Sequence, residues 1–288
     1  MFFFAGCAGS PDQDSKYLLD LRLAADYYKR GKYEEAMRKY EDAIEKNPKG
    51  YGAIVGLACS DREWGLKKFE EAENLFLAKK VDLAKKEFDK AVAVHAAAQK
   101  LFQKAIQLKP EEMIAYRELG SFYYKRATSP WNFPYRLDDP KRQKERDLAI
   151  EYLGKVVKKE PDTMYAQRDL GLALFAAGKS SQGRVHLEIY LAKAAEGREF
   201  LRKNAPKSTP DQREEAEKRL RAIDEDLLKI CDMLIMYLKE LEEKQADAAR
   251  TGATELADTL QTEILAVRNL LGKYRETREK KPEENKSG

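Results

Sequence analysis

The sequence predicts an all-α protein of repeated helical hairpins, with a longer hairpin at its C-terminal end. Hydrophobic residues make up 43% of the chain and charged residues 36%, a mixture that suits exposed helices over modest apolar seams. Glycine and proline are few, and they separate long stretches rich in Ala, Glu, Lys, Leu and Arg, which favour helix. Apolar side chains recur three and four residues apart along these stretches, which is the period of an amphipathic helix.

The charge distribution argues against nucleic-acid binding. The net charge of +4 is small for 288 residues, and acids and bases alternate without a block of one sign. Binding to a phosphate backbone requires a basic stripe, which this pattern does not contain. We therefore expect protein partners, no nucleic acid, and a solvated surface of mixed charge.

The first hairpin defines a repeat. A unit that begins at Tyr17 places small residues at Ala24 and Ala36, where two antiparallel helices must approach closely. Tyr40 fills the following groove, and Pro48 ends the second helix because proline lacks the backbone N–H that a helix needs. The stretch GKYEEAMRKYEDAIEKNP resembles the second helix of a tetratricopeptide repeat (TPR).

Further repeats follow in the same phase. They begin at Tyr51, Met113 and Met164. The resemblance implies a TPR domain of about four repeats over residues 17–204, in which helical hairpins stack into a superhelix. Two insertions interrupt the period, one near residues 66–97 and the other near residues 128–147.

The first insertion leaves two helix arrangements open. No glycine or proline occurs between Gly65 and Pro110, so this segment can form one very long helix. It can equally form two helices with a break near Lys79–Asp82, because both halves contain patterns like that of a TPR second helix. The sequence alone does not decide between them.

Beyond the repeats, residues 205–210 form a linker with two prolines, and residues 211–280 predict an antiparallel helical hairpin. Leucine, isoleucine and tyrosine alternate three and four apart in two stripes, which Thr251-Gly252 separates. The stripes either pack internally or form a coiled-coil seam through which the chain makes a homo-oligomer. Residues 230–238 are apolar on more than one face, so we expect a further element to cover them.

Both ends of the chain differ from the helical patterns between them. The charged residues 281–288 predict a disordered tail. At the other end, Phe4-Ala5-Gly6-Cys7 resembles the lipobox of bacterial lipoproteins, in which small residues precede a cysteine that becomes lipidated. The resemblance implies a lipid on Cys7, with residues 1–16 as a signal remnant and tether. It also favours the periplasmic side of the outer membrane, since Gly9 is not the aspartate of an inner-membrane retention signal.

This N-terminal segment is shorter than a signal peptide. A signal peptide has a basic n-region and an apolar stretch of about 7–15 residues. Only six residues precede Cys7, and none of them is basic. Either translation starts upstream of Met1, or the match is a coincidence and the protein is cytoplasmic.

No pattern in the sequence indicates catalysis, a metal or a cofactor. The two histidines, His95 and His186, each stand without a second ligand at zinc-site spacing. The sequence contains no nucleophile elbow, phosphate-binding glycine loop or metalloprotease pair. We therefore predict that the chain is not an enzyme.

The TPR resemblance implies a binding surface for a protein partner. In TPR domains the first helix of each repeat lines a concave groove. The register places aromatic and arginine residues there, of the kinds that form hot spots: Tyr28, Arg62, Arg117, Tyr124, Arg168 and Phe175. The alternative is that these side chains only pack neighbouring repeats together. Chaperone-binding TPR domains hold lysine and asparagine where this chain has Leu21, Ala25 and Gly56, so we expect no carboxylate clamp.

The second insertion carries another candidate surface. Trp131, Phe133 and Tyr135 form an aromatic cluster whose exposure would be unfavourable unless it were used in binding. The alternative is that the cluster folds back and caps the widened repeat.

These patterns favour a protein–protein interaction adaptor that is anchored to the bacterial cell envelope and holds a partner segment in its TPR groove. The alternative is a cytoplasmic TPR scaffold that oligomerises through its C-terminal coiled coil. The sequence does not identify the partner.

Overall fold

A computed structural model describes residues 11–128, 139–205 and 209–279. These residues form α-helices with the following bounds: α1 Pro11–Lys29, α2 Tyr33–Lys46, α3 Tyr51–Leu77, α4 Val81–Leu108, α5 Met113–Thr128, α6 Asp139–Lys159, α7 Met164–Ala176, α8 Ser180–Asn204, α9 Pro210–Arg250 and α10 Thr254–Glu279. Within the described ranges there is no β-strand. The predicted all-α class is confirmed.

Consecutive helices pair into hairpins. The pairs are α1 with α2, α3 with α4, α5 with α6, α7 with α8, and α9 with α10. The first four pairs correspond to the predicted TPR hairpins and the fifth to the predicted C-terminal hairpin.

Small residues let the helices of a hairpin approach closely. Ala24 of α1 and Ala36 of α2 are fully buried. Gly120 of α5 lies against Leu153 of α6, where a Cβ on Gly120 would be 2.7 Å from Leu153 Cγ. The close-packing role that the repeat pattern assigns to these small residues is therefore present in the fold.

Residues with a left-handed backbone conformation lie in the turns of the hairpins. Gly31 has φ of +70° after α1, and the Lys32 N–H donates to Tyr27 O at 3.0 Å, which is the bonding of a Schellman cap. Lys79 holds the equivalent place after α3 with φ of +60°, and the Lys80 N–H donates to Leu75 O at 2.8 Å. The segment whose arrangement the sequence left open thus forms two helices, with the break at residues 78–80. Because a lysine occupies the position that glycine usually takes, the sequence has no glycine or proline to mark this break.

Two boundaries predicted from the sequence differ from the helix bounds in the structure. Helix α1 begins at Pro11, so residues 11–16, predicted as part of a tether, are helical. Proline suits the first position of a helix, where its missing N–H would have no intrahelical partner. Helix α6 begins at Asp139, so part of the second insertion lengthens a helix. Cys7 and the tail at 281–288 lie outside the described residues.

The chain divides into two compact units. Unit 1 is Met1–Glu160 and contains α1 to α6, whereas unit 2 is Pro161–Gly288 and contains α7 to α10. The fourth hairpin therefore belongs with the C-terminal hairpin. The division between the units falls after Glu160.

The core of unit 2 combines three helices. Its fully buried side chains include Tyr190 and Leu187 of α8, Leu227, Ile230 and Leu234 of α9, and Ile264, Val267, Leu270 and Tyr274 of α10. Tyr274 donates its hydroxyl hydrogen bond to Leu187 O at 3.2 Å. Ile230, Cys231 and Leu234 of the apolar segment 230–238 are thus covered by α8 as well as α10, whereas Met236 is 73% exposed. The stripes of α9 and α10 are buried within one chain, which favours internal packing over an intermolecular seam.

Candidate protein-binding site

The first helices of the hairpins in unit 1 bring four of the predicted groove residues to one face. Tyr28 lies on α1, Arg62 on α3, and Arg117 and Tyr124 on α5. Helix α3 contacts both α1 and α5, so these three helices lie side by side. We call the surface that carries these four residues the first-helix face.

A buried ion network forms the floor of this face. The guanidinium of Arg62 donates to Glu63 Oε1 at 2.8 Å and to Glu118 Oε2 at 2.7 Å, and its side chain is only 7% exposed. Arg117 donates to the other oxygen of Glu118 at 2.6 Å. Arg62 is therefore neutralised inside the fold, where it joins two repeats and is not presented to a partner.

The titration of the network follows from its burial and charges. Burial alone would raise the pKa of Glu118, but the charges and hydrogen bonds of Arg62 and Arg117 outweigh it and lower the pKa to about 2. Cys59 lies beside the network, with its Sγ 3.9 Å from Glu118 Oε2. Burial and the Glu118 charge raise the pKa of the Cys59 thiol to about 12, so it stays protonated and weakly reactive.

Exposed groups surround this floor. The side chain of Arg117 is 34% exposed, and Lys125 lies 4.0 Å from Glu63 with its side chain 45% exposed. Tyr28 and Tyr124 are half-buried. Burial, together with Cys59 and the carboxylates of the network, raises the pKa of Tyr28 well above its usual range, so its hydroxyl remains a neutral donor and acceptor. The face thus offers two cations and two aromatic rings.

Sequence reasoning missed two members of the network and one cation beside it. Glu63, Glu118 and Lys125 each follow a predicted groove residue by one position. One residue corresponds to about 100° of rotation around a helix, but the ion pairs show that these long side chains still reach the same face. The signal that could have found them is the adjacency of opposite charges in Arg62-Glu63 and Arg117-Glu118.

The two groove residues predicted in unit 2 are engaged within the chain. Arg168 of α7 pairs with Asp226 of α9 and with Asp169. The rings of Phe175 and Tyr237 meet edge to face, with centroids 5.1 Å apart. Side chains of α9 thus contact the two residues of α7 that the sequence assigned to a partner.

The remaining predicted residues add no second site. Gly56 lies against the ring of Tyr40, where an added Cβ would be 2.2 Å from the ring. The aromatic residues Trp131, Phe133 and Tyr135 lie outside the described residues. In residues 11–128, 139–205 and 209–279, no group of three or more His, Cys, Asp or Glu side chains is placed to hold a metal. None of the described helices is both long and apolar enough to cross a bilayer.

Two family models match the sequence, and both describe the tetratricopeptide repeat. One matches residues 21–49 and the other residues 141–200. No curated protein sequence matches the chain.

Solved structures with similarity to the chain include MamA and human IFIT1. The MamA crystal structure has 20% identity and a TM-score of 0.30, over 62% of this chain and 92% of that one. A human IFIT1 dimer with PPP-AAAA has 16% identity and a TM-score of 0.31, over 85% of this chain and 68% of that one. A human IFIT1 dimer with m7Gppp-AAAA has 15% identity and a TM-score of 0.32, over 85% of this chain and 67% of that one.

The family matches agree with the hairpins, whose close-packed small residues follow the repeat. Proteins with such repeats are in general non-enzymatic scaffolds for protein–protein interaction. The chain therefore contains tetratricopeptide repeats, with matches at residues 21–49 and 141–200.

Proposed function

We propose that the protein is an adaptor of the bacterial cell envelope that binds a segment of a partner protein on the first-helix face of unit 1. The observation that carries this proposal is the placement of Arg117, Tyr28 and Tyr124 around the buried Arg62–Glu118 pair. The floor is fixed by ion pairs, so the side chains above it are held in place before a partner arrives. Such preorganisation reduces the entropy lost on binding.

The chemistry of the face favours a particular kind of segment. Tyrosine and arginine are the residue types enriched in binding hot spots, because they combine apolar area with hydrogen bonding. Arg117 and Lys125 add positive charge at the exposed margin. We therefore propose a partner segment, extended or helical, in which an acidic residue lies beside an apolar anchor.

The binding experiment compares folded variants of the full chain. Partners are captured from the native host and identified, and their dissociation constants are measured for Arg117→Ala and Tyr124→Ala. Truncation of a true hot-spot residue costs about 2 kcal/mol, or roughly thirtyfold in affinity. Arg219→Ala is the matched control, since Arg219 is an exposed arginine of α9 that pairs with Glu215 of its own helix at 2.9 Å. Variants that melt like the parent and keep every partner would refute the site.

Envelope anchoring is proposed from the sequence. The support is Phe4-Ala5-Gly6-Cys7, and the proposed location is the periplasmic side of the outer membrane. The gene is expressed with its upstream codons in a bacterial host that is fed labelled fatty acid. We expect label and membrane fractionation in the parent and loss of both in Cys7→Ser. A parent that stays soluble and unlabelled would instead favour a cytoplasmic scaffold.

A further inference from the structure

The α3–α4 hairpin is longer than the hairpins beside it. Helices α3 and α4 contain 27 and 28 residues, whereas α2 has 14 and α5 has 16. Lys67 Nζ donates to Gly31 O at 3.0 Å, which places Lys67 at the turn between α1 and α2. Leu77 lies ten residues farther along α3, or about 15 Å at 1.5 Å per residue. The end of the hairpin therefore projects past the first repeat.

Large apolar side chains are exposed at this end. We call residues 76–86 the hairpin tip. Leu77 is 71% exposed, Val81 57% and Leu83 53%, and Phe76 is also exposed. Near the tip the two helices are held together by the buried Ala72 and Ala84 and, one turn farther back, by the contact between the rings of Phe69 and Phe88. The side chains of Leu77, Val81 and Leu83 thus contribute little to the hairpin itself. Single exposed leucines are ordinary, but several on one projection mark an interaction surface.

Lysines are interspersed among these apolar side chains. The tip contains Lys79, Lys80, Lys85 and Lys86, all exposed, against one acid, Asp82. This segment carries a net charge of +3, although the whole chain of 288 residues has only +4. The tip therefore combines exposed apolar area with local positive charge.

We propose that the hairpin tip binds the surface of an anionic lipid bilayer. Leu77, Val81 and Leu83 would enter the boundary between headgroups and acyl chains, while the lysines contact anionic headgroups. This pairing of apolar and basic residues is the pattern by which peripheral helices attach to membranes. The exposed apolar side chains and the lysines of the tip together match an anionic bilayer, which offers a hydrocarbon boundary beside negative headgroups. This double complementarity favours lipid as the occupant over a protein segment.

The proposed contact is independent of the proposed lipid on Cys7. Helix α1 runs from Pro11 toward the Gly31 turn, so its first described residue lies at the opposite end of unit 1 from the tip. The test uses the full chain with Cys7→Ser, in which no lipid at that residue can contribute. The protein is sedimented with vesicles of phosphatidylcholine and phosphatidylglycerol at a 3:1 ratio, and with vesicles of phosphatidylcholine alone.

A matched pair of variants distinguishes binding through the tip from non-specific binding through any exposed leucine. Leu77→Gln/Leu83→Gln removes two leucines of the tip. Leu256→Gln/Leu265→Gln removes two leucines of α10, which are 54% and 49% exposed. We expect binding to the anionic vesicles to weaken at least tenfold in the tip variant and to stay unchanged in the α10 variant. Lys79→Gln/Lys80→Gln should weaken binding and reduce its dependence on salt.

Three outcomes would overturn the proposal. The first is that the parent fails to sediment with anionic vesicles. The second is that both leucine variants lose binding equally, which would indicate non-specific adsorption. The third is that the tip variant binds vesicles normally but loses a protein partner, which would make the tip a protein-docking surface. Circular dichroism of each variant confirms that a loss of binding is not a loss of fold.

Discussion

Arg62 and Glu118 form a buried ion pair between α3 and α5, with Arg62 Nη1 2.7 Å from Glu118 Oε2. Helices α3 and α5 belong to consecutive repeats, so the pair ties two hairpins together under the first-helix face. Glu63 shares the same guanidinium, and Arg117 shares the same carboxylate. The four groups act as one network.

Replacement of Glu118 with glutamine should therefore destabilise the protein. Loss of one partner from a buried pair costs about 3–5 kcal/mol when the other charge is left alone. Because Glu63 still neutralises Arg62, we expect a loss of about 2 kcal/mol in the free energy of unfolding, measured with urea. The control is Glu111→Gln, since Glu111 pairs with Lys159 while its side chain is 88% exposed. That change should leave the free energy of unfolding nearly unchanged, because exposed ion pairs contribute little, and equal losses in the two variants would contradict a structural role for the network.

His95 should make stability depend on pH. Its Nε2 lies 3.1 Å from Arg62 O, and the rings of Phe69 and Phe122 pack against it. Burial lowers the pKa of His95 from 6.5 to about 4, so the folded state favours the neutral ring. Its contribution to stability is complete above pH 6.5 and is lost as the pH falls toward 4. Relative to His95→Gln, the parent should lose about 2 kcal/mol between pH 7 and pH 5. Parallel pH profiles for the two proteins would disprove this assignment.

Asp61 should act in the opposite direction. Burial, and then the nearby charge of Glu41, raises the pKa of Asp61 from 3.8 to about 7. The folded state therefore favours the neutral acid, and its stability falls as the pH rises from 3.8 through 7. Asp61→Asn keeps the shape without the charge. Its stability advantage over the parent should grow by about 3 kcal/mol between pH 5 and pH 8. Urea unfolding at both pH values measures this difference, and an advantage that does not change with pH would contradict the explanation.

The sequence predicted the helices well where caps and small residues mark them. Gly31 and Pro48 bracket α2, and the structure agrees within two residues at each end. The break between α3 and α4 could not be predicted from the sequence, because Lys79 adopts a left-handed conformation that glycine usually takes. Packing of the two long helices against each other determines that turn, and packing is not visible in residue spacing.

For the candidate site, the sequence predicted only which side of each helix carries the binding residues. The repeat register predicts that Tyr28, Arg117 and Tyr124 share a face of unit 1, and their role in binding stays a prediction. It also gave Arg168 and Phe175 the same orientation on α7, but it could not show that α9 contacts them. Periodicity tells which side of a helix faces inward or outward, whereas the neighbour that covers it is set by the fold of distant segments.

Phe175 should therefore be a stability residue. It packs edge to face on Tyr237, with an interplanar angle of 87°, and it borders the core of unit 2. Phe175→Ala should lower the free energy of unfolding by about 2 kcal/mol, less than the 3–5 kcal/mol of a fully buried ring. A double-mutant cycle with Tyr237→Ala should give a coupling energy of about 1 kcal/mol. A variant that melts like the parent, with zero coupling, would restore Phe175 as a candidate partner contact.

Two glycines on facing helices should respond in opposite ways to the same substitution. A Cβ on Gly120 would lie 2.7 Å from Leu153 Cγ and 3.1 Å from Leu153 N, so α5 and α6 would have to move apart. Overpacking of this kind costs about 1–3 kcal/mol. Gly154, the neighbour of Leu153 on α6, has nothing within 4 Å of its Cβ position.

At Gly154 only helix propensity changes. Alanine is more favourable than glycine inside a helix by about 1 kcal/mol, so Gly154→Ala should stabilise by up to that amount. Gly120→Ala should lower the midpoint of urea unfolding, and Gly154→Ala should raise it. Circular dichroism should show helix in both variants without β-structure. If Gly120→Ala were as stable as Gly154→Ala, the close approach of α5 and α6 would be wrong, since propensity alone favours alanine at both positions.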